Sequence, residues 1–357
     1  MSTATPATHP RDVRVGVIGT GRMGLDHVQR LARRTKGAQV AAVTDFNPDA
    51  ARAAAEQAPG ARVLDTPEAL ITDPEVDAII IASPGPFHRE QTLAAIAAGK
   101  PVLCEKPLAT SPEDAYEVAQ ADAARVRAGR TPLVSVGFMR RFDAEYQQLA
   151  ATIGRGDLGE VMILNCKHRN ASTLPGFTDA SMVHDSAVHE IDAIGYLLGE
   201  PIVTVQSVQP LSSPEAPEGL HDPLLLLFRT VSGRLVTDEL FVSTGAGYEV
   251  RTEAVGSRGT ATIGLPTGLQ TTQIATGGPE EEGGRWGGTV PPDFRPRFAA
   301  AYDAEVLAFI HAVADGTNVA PGMAGAWDGY VASAVCAAAE SSLVADAPVP
   351  VHLQEKP

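Results

Sequence analysis

Over the first 137 residues, the apolar positions alternate between short continuous runs and stretches of helical period. Residues 13–18 form a buried strand, 22–34 a helix for which Gly37 is a suitable stop, and 39–44 a second strand. An Ala-rich helix runs from Asn47 and Pro48 to Ala58, and 62–64 is a weak strand. Residues 77–82 make a strong strand ending at Ser83-Pro84, and a helix over 86–98 stops at Gly99. The strand 101–104 runs into Glu105-Lys106-Pro107. Ser111 and Pro112 supply the N-cap and first position of a helix reaching Ala128, and 133–136 is a last strand. Strands alternating with helices across short loops predict a parallel, doubly wound sheet.

From Gly159 onward the pattern changes. One helix is predicted over 184–198, then strands over 202–208, 224–230, 234–242, 249–255 and 260–263, separated by Gly and Pro. That succession predicts a large, mostly antiparallel sheet in an α/β domain. Residues 276–292 are rich in Gly, Pro and Glu and predict a mobile loop, and helices over 298–314 and 323–343 follow. The chain therefore divides into 1–138, with 1–11 a frayed tail, and 139–357.

A net charge of −15 disfavours nucleic acid and anionic membrane surfaces as partners. The longest apolar run, near Leu224 to Phe228, is far too short to span a bilayer, and the first residues lack an apolar signal core. Cys104, Cys166 and Cys336 have no metal-ligand spacing, and an odd count argues against a disulfide framework. A reduced cytoplasmic protein is expected.

Gly19-Thr20-Gly21-Arg22-Met23-Gly24 joins the first strand to the first helix. Glycines there allow a tight turn and let the backbone approach a pyrophosphate at the helix N-terminus. Asp45 ends the second strand, where a carboxylate accepts hydrogen bonds from the adenosine ribose. Phe46 follows it with no adjacent arginine for a 2′-phosphate, which favours NAD over NADP. Ser83-Pro84 and Glu105-Lys106-Pro107 stand at carboxyl ends of strands, where ligands of open α/β sheets bind. His88 follows the first of these ends, which places it on the cofactor side.

In Asp185-Ser186-Ala187-Val188-His189-Glu190-Ile191-Asp192, the residues Asp185, His189 and Asp192 stand at i, i+4 and i+7, which predicts one shared helix face. A carboxylate one turn from an imidazole can fix its tautomer and stabilise its cation, the requirement for removing an alcohol proton. Spacing alone serves a structural ion pair equally well, with Asp185 complementing the helix dipole. Asp185, His189, His168 and His184 could also supply metal ligands, but no cysteine cluster or His-Glu-x-x-His pattern accompanies them, so no metal is expected.

Gly99-Lys100-Pro101-Val102-Leu103-Cys104-Glu105-Lys106-Pro107 resembles the most specific motif of the Gfo/Idh/MocA oxidoreductase family. The similarity runs from Val13 to about Val351, and within the family it is greatest to the inositol dehydrogenases. The features behind that closer match are 137–143, His168-Arg169-Asn170, the Asp185-to-Asp192 segment and 326–330. The resemblance implies a Rossmann domain plus a domain with an open sheet, usually packed into a homotetramer. It implies a catalytic triad of Lys106, Asp185 and His189, and a polyol pocket of Met139, Arg140, His168, Asn170, Asp192 and Tyr248. It also implies an NAD site that includes Gly19, Gly21, Gly24 and Asp45, with Met23, Ser83 and Glu105 nearby.

The expected reaction is NAD-dependent oxidation of a ring hydroxyl, myo-inositol to 2-keto-myo-inositol, with His189 as general base. A pyranose or aminocyclitol dehydrogenase is the alternative on the same scaffold. Further alternatives are a non-catalytic NAD-binding sensor and a metal-dependent hydrolase or isomerase.

Overall fold

The computed structural model describes residues 11–264, 271–273, 284–286 and 291–357. The chain forms two compact units. One holds the chain up to Gly137 together with Asp303–Trp327; the other holds Phe138–Tyr302 and Asp328–Lys356.

The first unit is built on strands β1 (Val13–Ile18), β2 (Ala38–Thr44), β3 (Arg62–Val63), β4 (Ala78–Ile81), β5 (Val102–Glu105) and β6 (Val134–Gly137). They lie parallel in the order β6-β5-β4-β1-β2-β3. The sequence reverses direction at β1, so the carboxyl ends of β1 and β4 open the crevice in which such sheets bind ligands. Val15, Val17 and all four residues of β4 are buried, as continuous apolar runs covered on both faces must be. The covering helices are α1 (Arg22–Arg33), α2 (Pro48–Glu56), α3 (Pro67–Thr72), α4 (His88–Ala98) and α5 (Pro112–Arg127). Side chains of Asn47, Thr66 and Ser111 cap α2, α3 and α5, each with Pro at the first position. The six-residue α3 is too short to show a helical period in sequence and was not expected. Residues 85–87 form a 3₁₀ turn where the α-helix was expected to begin.

The second unit opens with α6 (Ala144–Gly154) and β7 (Val161–Arg169). A one-turn α7 (Asp179–Ser181) leads into a π-helical segment, Met182–Ala187, and then α8 (Val188–Leu198). Strands β8 (Ile202–Val208), β9 (Leu224–Thr230), β10 (Leu235–Phe241), β11 (Glu249–Gly256) and β12 (Gly259–Ile263) complete the main sheet. Its order is β12-β11-β7-β10-β9-β8, antiparallel except for the β7–β10 pair. The loop expected over 276–292 falls largely outside the described residues. Those that are described include β14 (Gly284–Trp286), paired with β13 (Thr271–Gln273).

Toward the end of the chain come α9 (Phe294–Ala314), kinked at Phe298, and β15 (Ala324–Gly325), which pairs antiparallel with β6. They are followed by α10 (Ala326–Ala345) and β16 (Val349–Pro350), the latter paired with β8. No described helix is long and apolar enough to cross a membrane.

Candidate active site

Each glycine of the β1–α1 turn has a separate physical reason. Gly19 has φ +84, and a Cβ there meets the Ser83 backbone nitrogen at 2.5 Å. A Cβ on Gly24 meets the Gly19 carbonyl oxygen at 1.8 Å, so both positions close the turn against the chain itself. Gly21 is different: a Cβ meets nothing within 4 Å. Gly21 is also the N-cap of α1, and no side chain caps that helix, unlike α2, α3 and α5. Uncapped N–H groups beside open space are what a pyrophosphate needs.

The Asp45 carboxylate accepts hydrogen bonds from the Thr20 N–H at 2.6 Å, the Thr20 hydroxyl at 3.0 Å and the Asn47 N–H at 2.9 Å. Its position is therefore fixed, and its remaining lone pairs can accept from a ribose diol. A cavity of about 620 Å³ adjoins it, bounded by Gly19, Gly21, Met23, Asp45, Ser83 and Gln91, with Phe46 and Phe87 at its edge. These residues fit a bound dinucleotide. Gly19, Gly21, Met23, Asp45 and Ser83 come together there.

Glu105 and His88 sit deeper. Glu105 lies 2.7 Å from Nε2 of the wholly buried His27, a histidine that no motif singles out. His88 is itself buried, against the backbone. Lys106 follows β5 in a turn whose Lys106–Pro107 bond is cis, and it belongs to the first unit.

In the second unit, Arg140 donates to Glu190 and both side chains are 1% exposed. Glu190 also lies 3.1 Å from His168 Nδ1. Despite burial, which raises a carboxyl pKa, Arg140 and His168 hold Glu190 below its usual value. The His168 ring packs edge-on to Tyr248 at 5.5 Å and stands 6.5 Å from the His189 ring, which meets Phe138 at 6.3 Å. Burial pushes the Tyr248 hydroxyl up to about 12, so it remains a neutral donor. Met139 is buried alongside Arg140, and Asn170 lies just past β7, its N–H donating to the Phe241 carbonyl at 3.0 Å. Asp192 is engaged by Arg141, with Nη2 2.6 Å from Oδ1.

The Asp185–Asp192 segment departs from the single α-helix expected. Asp185 falls in the π-helical segment and is exposed, whereas His189 and Asp192 in α8 are buried. Asp185, His189 and Asp192 thus differ in burial, and only the last two lie on the regular helix.

Two buried groups were missed in the sequence. Glu190 could have been read as core-facing, since it stands one residue from His189 on a helix with apolar neighbours. Asp238 alternates with Val236 and Leu240 on β10, which places it on the buried face beside Cys166 of β7. Both its oxygens lack a hydrogen-bond partner among the described residues. Burial and the nearby Glu190 hold its pKa well above the ordinary carboxyl value. Among the described residues, no group of three His, Cys, Asp or Glu side chains is arranged to hold a metal ion.

A doubly wound sheet with an open glycine turn and an acid at the end of its second strand has the architecture of a dinucleotide-binding domain. Residues 13–129 match the model of the oxidoreductase family with an NAD-binding Rossmann fold, and 146–262 match the GFO/IDH/MocA C-terminal domain. The chain belongs to the Gfo/Idh/MocA oxidoreductase family. It is 48% identical over 347 residues to inositol 2-dehydrogenase 2 of Mycolicibacterium vanbaalenii, covering 97% of each chain. It is 47% identical to the inositol 2-dehydrogenase of Mycolicibacterium smegmatis, over 97% of this chain and 98% of that one. Among solved structures, it is similar to myo-inositol dehydrogenase from Lactobacillus casei in complex with NAD(H) and myo-inositol. The TM-score is 0.87 and the identity 32%, over 97% of this chain and 98% of that one.

Proposed function

We propose that the protein oxidises a ring hydroxyl of a cyclitol, converting myo-inositol to 2-keto-myo-inositol. The observation that carries this reading is end-to-end similarity, at 48% identity, to an inositol 2-dehydrogenase. A polar lining would suit it, because a pocket that hydrogen-bonds hydroxyls strongly rejects analogues lacking them. His168, Asn170, Asp192, Tyr248 and Arg140 are the groups assigned to that lining, with Met139 as its apolar wall.

Gly19, Gly21, Gly24 and Asp45 hold the cofactor, with Met23 and Ser83 beside it. A bound NAD would supply the hydride acceptor for the carbinol carbon. His189 takes the hydroxyl proton as general base. Asp185 stabilises the resulting imidazolium. Lys106 stabilises charge developing on the oxygen. The chain acts as a homo-oligomer, a tetramer on this reading. Half-exposed Ile163, Leu225, Leu227 and Leu235 on one face of the second sheet support this. Three free, buried cysteines suit a reducing cytoplasm.

The test is NADH absorbance with purified protein, NAD and a panel of inositol isomers, pyranoses and aminocyclitols, compared with His189→Ala. NADH from myo-inositol, with kcat lowered about 10²- to 10⁴-fold in the variant, is expected. Turnover of a pyranose alone would move the substrate, and an unchanged kcat would remove His189 from the mechanism.

A further inference from the structure

His88 starts α4, yet its ring is turned inward and the residue is 1% exposed. Nδ1 stands 2.6 Å from the Pro107 carbonyl oxygen, and Nε2 stands 2.7 Å from the Ser83 carbonyl oxygen. A carbonyl oxygen only accepts, and a neutral imidazole carries a single N–H. With a neutral ring, one of these contacts would set two lone pairs against each other at under 3 Å, in a place with no solvent to relieve them. Only the imidazolium donates to both.

We propose that His88 is a positioning residue, a protonated clamp that ties the Ser83 carbonyl after β4 to the Pro107 carbonyl after β5. Ser83 lines the cofactor cavity, and Pro107 follows Lys106 directly. One buried cation therefore sets the spacing between the cavity wall and the Lys106 turn. This holds whatever the substrate, and it moves His88 from a cofactor contact to a support behind the cofactor site.

The groups around the ring are few. Buried Cys104 faces it from β5, its Sγ 3.3 Å from the Glu105 carbonyl oxygen. Glu105 closes the same strand and Lys106 follows it. On α4 itself, Glu90 lies in the first turn, and Arg89 is turned toward Asp114 and Glu117 of α5. Burial works against the charge, but Cys104 and the two carbonyls outweigh it, and the His88 pKa is raised to about 9. The folded value lies above the unfolded one. The clamp's contribution is thus complete below about pH 6.5 and is lost as pH rises through 9.

Neutron diffraction from a deuterated crystal of the full chain at pH 8 tests the charge directly. Deuterons on both Nδ1 and Nε2 of His88 are expected, and a single deuteron overturns the proposal. NADH binding, followed by fluorescence between pH 7 and 10, tests the positioning. At pH 10 about a tenth of His88 remains charged, so the wild-type affinity should fall by up to about tenfold from its value at pH 8. His88→Gln should bind more weakly at pH 8 and show a flatter profile. Lys106→Met should keep the wild-type fall, which separates His88 from the lysine. A wild-type affinity that is flat from pH 8 to 10, or a profile parallel to that of His88→Gln, overturns the positioning role even if that variant folds poorly. Neither readout needs an alcohol substrate, so a failure here is distinct from a failure of the cyclitol reading.

Discussion

Changing Glu190 to Gln removes one charge from a pair that solvent does not reach. Arg140 and Glu190 are each 1% exposed, so after the substitution the guanidinium stays buried opposite a neutral amide. His168 loses an anionic partner at the same time. Breaking a buried ion pair by removing one member costs about 3–5 kcal/mol. For a unit of this size each kcal/mol lowers Tm by about 2–4 °C, so a fall of about 6–20 °C is expected. Thermal melting measures it, with urea unfolding as a check on the free energy. The sign with pH also follows. Arg140 and His168 hold the Glu190 pKa below its unfolded value, so its stabilisation is present at neutral pH and fades as pH falls through the folded value. The gap between wild type and variant should narrow in acid. The double variant Arg140→Met, Glu190→Leu should recover most of the loss, because it strands no charge. A Glu190→Gln melting point within about 2 °C of wild type would refute the reasoning. A double variant no better than the single one would assign the loss to packing.

Three other outcomes are expected. Asp45→Ser should weaken NADH binding about 10- to 100-fold, from loss of charge-assisted hydrogen bonds, and raise the relative affinity for NADPH. An unmoved cofactor ratio, read by fluorescence titration, would take Asp45 out of ribose recognition. Gly21→Ala should leave Tm unchanged while NADH binding falls, whereas Gly24→Ala should lose both, since only the second Cβ strikes the chain, at 1.8 Å. Equal melting points for these two variants would contradict that division. Asp238→Val should raise Tm by removing a buried carboxyl without a partner, worth about 1–3 kcal/mol. Because the folded Asp238 pKa lies above the unfolded one, the gain should grow by up to about 1.4 kcal/mol per pH unit above about pH 4. A gain that does not vary with pH would show that Asp238 ionises normally.

The first unit was largely legible because its strands are continuous apolar runs punctuated by Gly and Pro, and its chemistry sits at their ends. The second unit was legible as a succession of strands but not as a topology. Strand β7 turns Leu164, Cys166 and His168 inward between Asn165, Lys167 and Arg169, so a buried histidine masks its alternation, and its parallel partner β10 lies some 70 residues onward. The π segment was invisible because a hydrophobic period reports regular helices, and one wide turn leaves no mark on it. The residue types of the candidate site were readable, but their pairings were not. That Glu190 takes Arg140, and Arg141 takes Asp192, depends on where the 3₁₀ turn at Met139–Phe142 aims neighbouring side chains.

The hydrogen bonds from Thr20 to Asp45 bear on how cofactor preference can change. The carboxylate proposed to read the ribose also braces the glycine loop beside it. A redesign toward a phosphorylated cofactor that alters Asp45 alone slackens the loop at the same stroke. Thr20 and Asn47 therefore travel with Asp45 as a coupled set, and libraries that vary the three together should reach altered preference through fewer inactive intermediates.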